Sequence, residues 1–477
     1  MSEAQKIIIN PVTRIEGHAK VSIRLDEAGR VSAARMHIVE FRGFERFVQG
    51  RFFWEAPVIV QRLCGICPVS HLLCAAKAMD MVVGADTLTP TAEKMRRLLH
   101  MGQIYQSHSL HFFHLSAPDL LLGYDADPAV RNVIGLAKKD KKLAVQAVMM
   151  RKYGQEVIEA TAGKKIHGNG AIPGGVNKNL SIGERDALLA QVDQMIEWAA
   201  GGLELYKKLY KDDYKRLSAL GTHRTNSVSL VRDDGALDLY DGKLRAKDAD
   251  GNIIFDMVEP KDYLEYIREG VQPWSYMKFP YIYTLGKENG WYRVGPLARL
   301  NNCDFIPTEM AEKQRQEFVE LGNGKPVHET MAYHWARLIE TLHAAERIKE
   351  LLNDEELQGD ELVTSGERRD EGIAILEAPR GTLFHHYRVA DDDTISRANL
   401  IVSTTSNNQP MNEAIRRVAE DYIVGKEVSE PVLNLVEMAI RAYDPCLSCA
   451  THAVGVMPLK VLLADHRGNV LDRKIRE

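Results

Sequence analysis

Two pairs of cysteines are the residues in this chain that are best placed to do chemistry. The stretch "RLCGICPVSH" contains Cys64 and Cys67, and "DPCLSCATH", near the other end, contains Cys446 and Cys449. A single C-x-x-C pair suits either a redox couple or half of a zinc site. A zinc ribbon keeps its two pairs roughly 15–20 residues apart, whereas almost the whole chain separates these two. We therefore expect one shared four-thiolate site that the entire fold assembles.

The ligand type narrows the choice of metal. Thiolates are soft ligands, which favour nickel, copper(I), zinc or iron. Four anionic sulfurs in a buried site also require a highly charged metal centre, with cations or hydrogen-bond donors nearby. Arg62, His71 and His452 flank the two pairs in sequence and are candidates for that supporting role.

The composition excludes several other classes of protein. The 477 residues are 45% hydrophobic and 27% charged, with a net charge of −5, which is typical of a globular protein and argues against a nucleic-acid binder. No apolar run approaches the roughly 20 residues of a membrane span, and the N-terminus lacks the layout of a signal peptide. We expect a cytoplasmic protein, in which paired cysteines bind metals or do redox chemistry rather than form structural disulfides.

The sequence pattern predicts an α+β protein that is predominantly helical, with a central bundle of long helices and small peripheral β-sheets. Strand-like alternation predicts a small sheet over 6–40, a β excursion over about 226–305 and a further sheet over 371–403. Helical periodicity covers about 57–122 and resumes after Ser181, which is expected to cap a helix. Further helices are predicted at 308–320, 328–353, 411–423 and 431–442.

The two cysteine stretches resemble the signatures of the large subunit of nickel–iron hydrogenases, R-x-C-G-x-C-x-x-x-H and D-P-C-x-x-C-x-x-H. Other segments also look like family segments in family order: "RIEGH" (14–18), "FRGFE" (41–45), "SHSLHFFHL" (107–115), "IPGG" (172–175) and "EAPRG" (377–381). The resemblance covers essentially the full length of the chain. Within the family, the sequence is similar to the cytoplasmic, bidirectional, NAD-linked type. It implies the nickel–iron hydrogenase large-subunit fold, as a single domain over 1–452.

The resemblance implies a role for each signature cysteine. Cys64 and Cys446 would be terminal nickel ligands, whereas Cys67 and Cys449 would bridge nickel to an iron that carries carbon monoxide and cyanide. The expected reaction is the reversible, heterolytic cleavage of H2. His71 of the first signature is expected to contribute to cofactor binding.

The resemblance also implies a set of residues around the metals. Arg380 is similar to the family arginine that lies over them, and its guanidinium is always charged. Asp119 and Asp444 look like the carboxylates that orient this arginine. Pro379 is expected to wall the pocket, and the hydroxyl of Thr404 resembles the one that hydrogen-bonds a cyanide.

Two more sites follow from the resemblance. Glu16 matches the family glutamate beside the terminal thiolate of Cys446, where a buried carboxyl with a raised pKa would relay the proton outward. Glu45, His452 and the backbone oxygen near Leu400 resemble a separate magnesium site, since hard oxygen ligands suit that ion.

Electrons released at nickel need a partner protein. Cys74 and Cys303 lie outside both signatures, and two thiols cannot hold a four-cysteine cluster; we expect both to be ordinary buried thiols. The chain also lacks the G-x-G-x-x-G fingerprint of dinucleotide binding. The resemblance implies a small subunit that carries iron–sulfur clusters and diaphorase subunits that hold flavin (FMN) and bind NAD.

The family resemblance also predicts maturation. Nickel-insertion factors would load the metal, and an endopeptidase would then remove the C-terminal extension 453–477, so that the mature protein ends at His452. The extension itself is predicted to form a strand, a turn at "HRGN" and a second strand.

Three alternatives remain open at this stage. The same family includes enzymes that use another acceptor, NADP or F420. A homologous respiratory-complex subunit has lost the metals, but all four signature cysteines argue against it. A non-enzymatic scaffold stapled by zinc is the third.

His108, His111 and His114 could suggest a further metal face, but a hydrogen-bonding stripe in the core is the expected interpretation.

Overall fold

The computed structural model describes residues 6–423, 428–451, 459–464 and 470–476, with side chains described up to 451. The helices are α1 (Phe44–Phe47), α2 (Ala56–Val60), α3 (Pro68–Val82), α4 (Pro90–Ser109), α5 (Ala117–Leu122), α6 (Val133–Lys139), α7 (Lys141–Ala162), α8 (Ile182–Asp212), α9 (Tyr214–Leu217), α10 (Tyr263–Tyr266), α11 (Gly286–Asn289), α12 (Pro296–Asn302), α13 (Glu309–Glu320), α14 (Ala332–Leu352), α15 (Ser403–Ser406), α16 (Asn408–Tyr422) and α17 (Glu430–Ala442).

The strands are β1 (Lys6–Ile9), β2 (Ala19–Leu25), β3 (Val31–Ile38), β4 (Ala171–Ile172), β5 (Gly175–Val176), β6 (Asn226–Val231), β7 (Lys243–Lys247), β8 (Ile253–Val258), β9 (Ile267–Gly270), β10 (Phe279–Ile282), β11 (Tyr292–Arg293), β12 (Glu371–Ala378), β13 (Gly381–Val389), β14 (Ile395–Ile401), β15 (Leu459–Ala464) and β16 (Val470–Arg476). The predicted sheets over 6–40, 226–305 and 371–403 are confirmed, and so is the strand pair in the C-terminal extension.

The long helices α4, α7, α8 and α14 pack on one another and form the predicted bundle. Helix α8 begins as expected, because the Ser181 side chain accepts from the Glu184 backbone and the Glu184 side chain caps Ser181 in return. Helices α4 and α7 approach closely because both carry glycine at the contact. A Cβ on Gly154 would lie 2.7 Å from the Cβ of Gln106. The apolar faces of these helices form one continuous core.

One sheet differs from the prediction that the sheets are peripheral. Strands β12, β13 and β14 form an antiparallel sheet that packs against α3, and β12 and β13 are buried along almost their whole length. Their near-continuous apolar runs, rather than strict alternation, are typical of strands that are covered on both faces. This central sheet matters for the site, because Arg380 lies in the tight turn between β12 and β13.

Two further features bear on position. Helix α4 continues into a π-helical segment, Leu110–Ser116, before α5; such segments are frequent at functional sites because they rotate the side chains that follow. In the part of the chain that the structure describes, no helix is both long and apolar enough to cross a membrane.

Candidate metal centre

The fold brings the two cysteine pairs into one buried cluster. Cys64 follows a short 3-10 turn and Cys67 is the N-cap residue of α3, while Cys446 and Cys449 follow α17. The four Sγ atoms lie within 4.8 Å of one another. Cys64 and Cys446 are neighbours, with sulfurs 3.4 Å apart, and Cys67 lies 3.8 Å from Cys449. The predicted shared site is therefore assembled by the tertiary structure.

The charge state of these thiols shows that the cluster suits a cation. Burial raises the pKa of Cys446 and of Cys449 well above the usual value. The pKa of Cys67 is lowered well below it, because the sulfurs of Cys446, Cys449 and Cys64 can all hydrogen-bond to its thiolate. Four thiolates cannot be ionised together in this interior unless a metal compensates their charge. The donor set fits a soft or borderline metal such as nickel or iron.

A narrow cavity with a volume of about 10 Å³ adjoins the cluster. Three of the signature cysteines line it, together with an apolar wall and a polar wall. The apolar wall comprises Ala378, Pro379, Leu383 and Val402, and the polar wall comprises Ser70, His71, Arg380, Ser403 and Thr404. A cavity of this size has room for a group about as large as one water molecule, and its walls offer such a group both apolar surface and hydrogen-bond donors.

Arg380 and Asp444 form a buried pair at this cavity. The Arg380 Nε donates to the backbone oxygen of Asp444 at 2.6 Å, and Nη2 donates to its Oδ1 at 3.0 Å. Burial alone would lower the pKa of Arg380, but Asp444 and the cysteine thiolates raise it well above the usual value. Burial raises the pKa of Asp444 to about 6, against the opposing effect of Arg380. Among the described residues, Arg380 Nη1 and Asp444 Oδ2 have no hydrogen-bond partner.

Comparison with known proteins identifies the family. A family model described as nickel-dependent hydrogenase matches residues 42–129 and 258–452, and one described as HoxL-like matches residues 6–41. The chain belongs to the nickel-dependent hydrogenases.

Individual relatives agree with this assignment. The beta subunit of the NAD-reducing hydrogenase HoxS of Cupriavidus necator is 49% identical, and the alignment covers 99% of this chain and 100% of that protein. The F420-non-reducing hydrogenase of Methanothermobacter thermautotrophicus contains a chain that is 44% identical over 98% of this protein and 99% of that one. A crystal structure of an NAD+-reducing [NiFe]-hydrogenase in the H2-reduced state superposes with a TM-score of 0.93 at 55% identity, covering 94% of this chain and 100% of that one. The predicted large-subunit fold is thereby confirmed, and the chain is the catalytic component of a hydrogenase.

In this hydrogenase, the expectation that Asp119 orients Arg380 is wrong. Asp119 instead hydrogen-bonds the guanidinium groups of Arg14 and Arg441, and it accepts from Asn434 Nδ2 at 3.1 Å. The π-helical segment and α5 place this carboxylate beside the N-terminal segment rather than above the thiols. Because Arg14 also donates to a backbone carbonyl of the π segment, Asp119 helps to fix the stretch that carries Glu16.

Glu16 lies beside the C-terminal signature of the hydrogenase, as expected. Its backbone oxygen accepts from Leu447 N at 3.1 Å, and its carboxylate accepts from both the backbone N–H and the hydroxyl of Ser448. The isolated bridge between Glu16 and Cys446 places the two residues in register. Unlike the prediction, the side chain is half-buried rather than buried. It therefore connects the signature with the protein surface.

Thr404 and His71 occupy positions that suit their expected roles. The Thr404 hydroxyl oxygen accepts from Cys446 N at 3.0 Å, so its hydrogen remains able to donate into the cavity. His71 can hydrogen-bond Cys67 and lies 3.3 Å, Nδ1 to Nε2, from His385. His385 is in turn 2.7 Å from the hydroxyl of Tyr387.

Sequence reasoning missed several residues that support the cluster. His385 and Tyr387 on β13 were not singled out, and neither was His167, whose Nε2 lies 2.9 Å from the backbone oxygen of Cys64. The positive φ of His167 is a local strain that no sequence pattern indicated. A run of aromatic and histidine residues in a strand carries no ligand spacing, so only the register of β13 reveals these contacts.

The proposed magnesium ligands are partly described. Glu45 is buried, and its Oε1 accepts from Leu400 N at 2.9 Å; burial raises its pKa. The nitrogen of Lys278 lies 4.0 Å from Glu45 and 3.0 Å from Glu269. His452 lies outside the described residues, so its role and that of the Leu400 oxygen stay predictions.

The residues expected to be structural behave as predicted. The Cys74 thiol donates to the backbone oxygens of Ala374 and Leu383, and burial raises the pKa of Cys303 to about 12. His108 pairs with Glu340, and burial lowers the pKa of His108 to about 4, which keeps it neutral. The Cys74 and Cys303 thiols therefore lie in the core as expected, and His108 is bound to Glu340 through Nε2, while its Nδ1 has no partner among the described residues.

Proposed function

We propose that this chain, in the cytoplasm, splits H2 reversibly into protons and electrons and passes the electrons through an iron–sulfur partner to a diaphorase that reduces NAD. The four buried thiols beside a cavity with one charged guanidinium are the observation that carries the proposal. The identity of 49% to a component of an NAD-reducing hydrogenase supports the choice of acceptor.

The arrangement of the thiols supports the assignment of each ligand. Cys64 and Cys446 would hold nickel alone, and Cys67 and Cys449 would share it with an iron that carries carbon monoxide and cyanide. The cavity lies against both proposed bridging residues, Cys67 and Cys449, where the small ligands of iron would need space. When bound, the metal pair accepts the two electrons of H2 and makes its protons acidic.

The protein supplies orientation and charge around that centre. Arg380 keeps a permanent positive charge at the cavity, and its Nη1 amino group can donate there, while Asp444 binds its Nε and Nη2. The Thr404 hydroxyl would donate to a cyanide, and His71 would donate to Cys67. Pro379 contributes apolar wall, so that water is excluded from the reacting atoms.

Glu16 would take up the proton that H2 cleavage leaves on the sulfur of Cys446, which returns that sulfur to the thiolate, and would release the proton to solvent. The proposal rests on its position in register with Cys446 and on its partial exposure. Ser448 supplies two hydrogen bonds that hold the carboxylate in place. A carboxylate that is fixed on one side and hydrated on the other is suited to transferring a proton.

An iron–sulfur small subunit is the proposed electron partner. Of the six cysteines in the chain, four form the cluster, and Cys74 and Cys303 are too few for a cluster of their own. Exposed aromatic side chains lie in the segment after β3: Phe41, Phe47, Phe52 and Trp54. Arg42, in the same segment, donates to the backbone oxygen of Leu63 beside the first signature. Exposed aromatic residues of this kind are enriched in protein interfaces.

A magnesium ion is the proposed occupant of the Glu45 site. Glu45 and Glu269 share Lys278 in a largely buried place, and Glu269 Oε1 has no partner among the described residues. Oxygen ligands of this kind suit magnesium. Metal analysis of the purified protein should find magnesium as well as nickel, and replacement of Glu45 by Gln should lower the magnesium content.

Removal of the extension 453–477 by an endopeptidase, after nickel-insertion factors have acted, is also proposed. The match to the nickel-dependent hydrogenase model ends at 452. The alignment with the solved relative covers all of that protein but 94% of this chain. The alignment with the HoxS protein covers 99% of this chain. Intact-mass measurement of the active enzyme should give a chain that ends at His452, and a retained Glu477 would contradict this.

Infrared spectroscopy of the purified complex, combined with nickel analysis, tests the central proposal. We expect stretching bands of metal-bound carbon monoxide and cyanide together with bound nickel. Zinc without nickel would favour a stapled scaffold, and a metal-free active complex would favour a respiratory-complex homologue. Assays of H2 oxidation with NAD, NADP and F420 as alternative acceptors decide the electron path.

A further inference from the structure

A second buried ionic cluster lies next to the metal centre and surrounds Arg299 on α12. The side chains of Arg299, Glu340 and Glu377 are completely buried. Both arms of the guanidinium are engaged: Nε and Nη2 each donate to Glu340 at 2.6 Å, and Nη1 donates to Glu377 at 2.7 Å. Such a planar, bidentate arrangement fixes geometry as well as charge.

The same guanidinium also holds the backbone that leads to the metal centre. Arg299 Nη1 donates to the oxygen of Ala378 at 2.9 Å, and Nη2 lies 3.4 Å from the oxygen of Pro379. With the Glu377 side chain, it therefore binds three consecutive residues of the chain. The next residue is Arg380.

Other elements of the fold complete the hydrogen bonding of the two carboxylates. His108 Nε2 lies 2.9 Å from Glu340. Glu377 accepts from Leu230 N at 2.8 Å and from the Thr382 hydroxyl at 2.7 Å. No oxygen of either carboxylate is without a partner among the described residues. The carboxylates of the cluster are therefore hydrogen-bonded without a ligand. This arrangement suits a cluster that fixes the position of the neighbouring backbone.

A second contact with the Arg380 segment is made by Gly295, the N-cap residue of α12, one turn before Arg299. A Cβ on Gly295 would lie 2.7 Å from the backbone oxygen of Arg380, and one on Gly381 would lie 2.5 Å from Gly295 N. Both glycines have positive φ, of 96° and 132°, so substitution there would be strained as well as crowded. The backbone on both sides of Arg380 is therefore fixed by Arg299 of α12 and by Gly295, the N-cap residue of that helix.

We propose that Arg299 is a positioning residue, which with Glu340 and Glu377 sets the place of the Arg380 guanidinium beside the thiols. A buried ion pair seldom adds stability over an apolar core of the same volume, so its retention here is explained by the geometry it imposes. Among the described residues, only Asp444 hydrogen-bonds the guanidinium of Arg380, so the position of that guanidinium depends on the position of the backbone that carries it. This inference rests on the role proposed for Arg380.

The test compares two lysine substitutions in the full hydrogenase complex. Arg299→Lys keeps the charge but loses the bidentate contacts. Arg96→Lys is a matched control, because Arg96 is equally buried, binds Asp80 through two nitrogens and also donates to the oxygens of Ile172 and Gly175. Arg96 binds the β4–β5 hairpin, and in the described part of the chain none of its hydrogen-bond partners lines the cavity.

We expect Arg299→Lys to retain nickel and to shift or split the infrared bands of carbon monoxide and cyanide. Its kcat should fall by about 10- to 100-fold with little change in KM, which is the usual effect of losing a residue that orients a metal-site group. Arg96→Lys should lower thermal stability and leave band positions and kcat unchanged. Bands and kcat of wild type in Arg299→Lys would overturn the proposal.

Two more variants keep the outcome decisive. If Arg299→Lys does not fold or does not load nickel, Glu340→Gln takes its place, since it preserves volume and removes one half of the contact; unaltered bands there would overturn the proposal equally. Arg380→Lys distinguishes the role proposed for Arg380 from the positioning role proposed for Arg299. Full activity in that variant contradicts the role proposed for Arg380, whereas an impaired Arg380→Lys beside a normal Arg299→Lys contradicts only the positioning role.

Discussion

The four-thiol centre and the Arg299 cluster are both buried and both rich in ionisable groups, yet they differ in how their hydrogen bonds are completed. At the thiol centre the sulfurs face mainly one another, and Arg380 Nη1 and Asp444 Oδ2 have no partner in the described part of the chain. Around Arg299, the oxygens of both carboxylates and all three guanidinium nitrogens are engaged. Burial alone therefore does not identify the reactive site.

This difference in hydrogen bonding distinguishes a cluster that binds a ligand from a cluster that is structural, even when both are buried in the same protein. A buried cluster whose charges neutralise one another and whose polar atoms are hydrogen-bonded requires no bound ligand. Unpaired polar atoms among clustered thiols indicate instead that a further charged group, such as a metal ion, binds there. The Asp119 cluster belongs with the Arg299 cluster, because its carboxylate is surrounded by arginines. The variants below test this division.

Loss of one thiol at the centre should have the largest effect. Cys67→Ser removes a ligand proposed to bridge both metals, and we expect it to abolish nickel binding, the infrared bands and hydrogen turnover together. Cys74→Ser is the matched control, since Cys74 lies two turns further along the same helix and donates only to backbone oxygens. Nickel analysis and infrared spectra of both variants provide the measurement, and normal nickel content in Cys67→Ser would contradict the assignment.

Glu16→Gln should separate proton transfer from metal binding. The amide keeps the shape of the side chain but cannot take up a proton, so H2 oxidation should fall by about 10²- to 10⁴-fold while nickel and the infrared bands remain. Glu40→Gln is a suitable control, because Glu40 is a nearby glutamate that pairs with His18 at the surface. Full H2 oxidation in Glu16→Gln would rule out the relay.

Asp119→Asn tests the assignment of that residue to the structural class. Removing the carboxylate leaves Arg14, Arg131 and Arg441 without their shared counter-ion, and the unfolding free energy should fall by about 3–5 kcal/mol. The infrared bands should stay in place, because Asp119 does not contact Arg380. Asp444→Asn, in contrast, should shift the bands, because Asp444 binds Arg380 directly. Urea midpoints and spectra of both variants decide, and a band shift in Asp119→Asn would return this residue to the metal centre.

The smallest expected effect is a pH dependence from His108 in the Arg299 cluster. Burial lowers its pKa to about 4 in the folded chain, whereas an unfolded histidine titrates near pH 6.5. The unfolded chain therefore binds one more proton between these values, and this residue lowers the unfolding free energy by about 1.4 kcal/mol per pH unit as the pH falls through that window.

His108→Gln keeps a donor for Glu340 and removes the titration. The decrease in urea midpoint between pH 6.5 and 5 should be smaller in this variant than in the wild type. His18→Gln serves as the control, since His18 is largely exposed, and it should retain the wild-type pH dependence. Equal pH dependence in His108→Gln and the wild type would show that the buried imidazole is protonated.

Much of the fold and the ligand set could be predicted from local sequence. The spacing of the two C-x-x-C pairs and the helical periodicity after Ser181 are local properties, and the structure confirms what was predicted from each. The central position of the sheet β12–β14 was less accessible, because a continuous apolar run does not show which element covers it. Helix α7 lies in a stretch to which the sequence pattern assigned no element.

The sequence by itself determined the chemistry of the ligands: four thiols, a permanently charged Arg380 and carboxylates at Glu16 and Asp444. Only the tertiary structure decided which cation each buried carboxylate meets, pairing Asp119 with Arg14 and Arg441 and linking Arg299 to the backbone before Arg380. The physical reason is that buried ion pairs join elements far apart in the chain. Every arginine offers the same charge and the same donors, so packing alone selects among them.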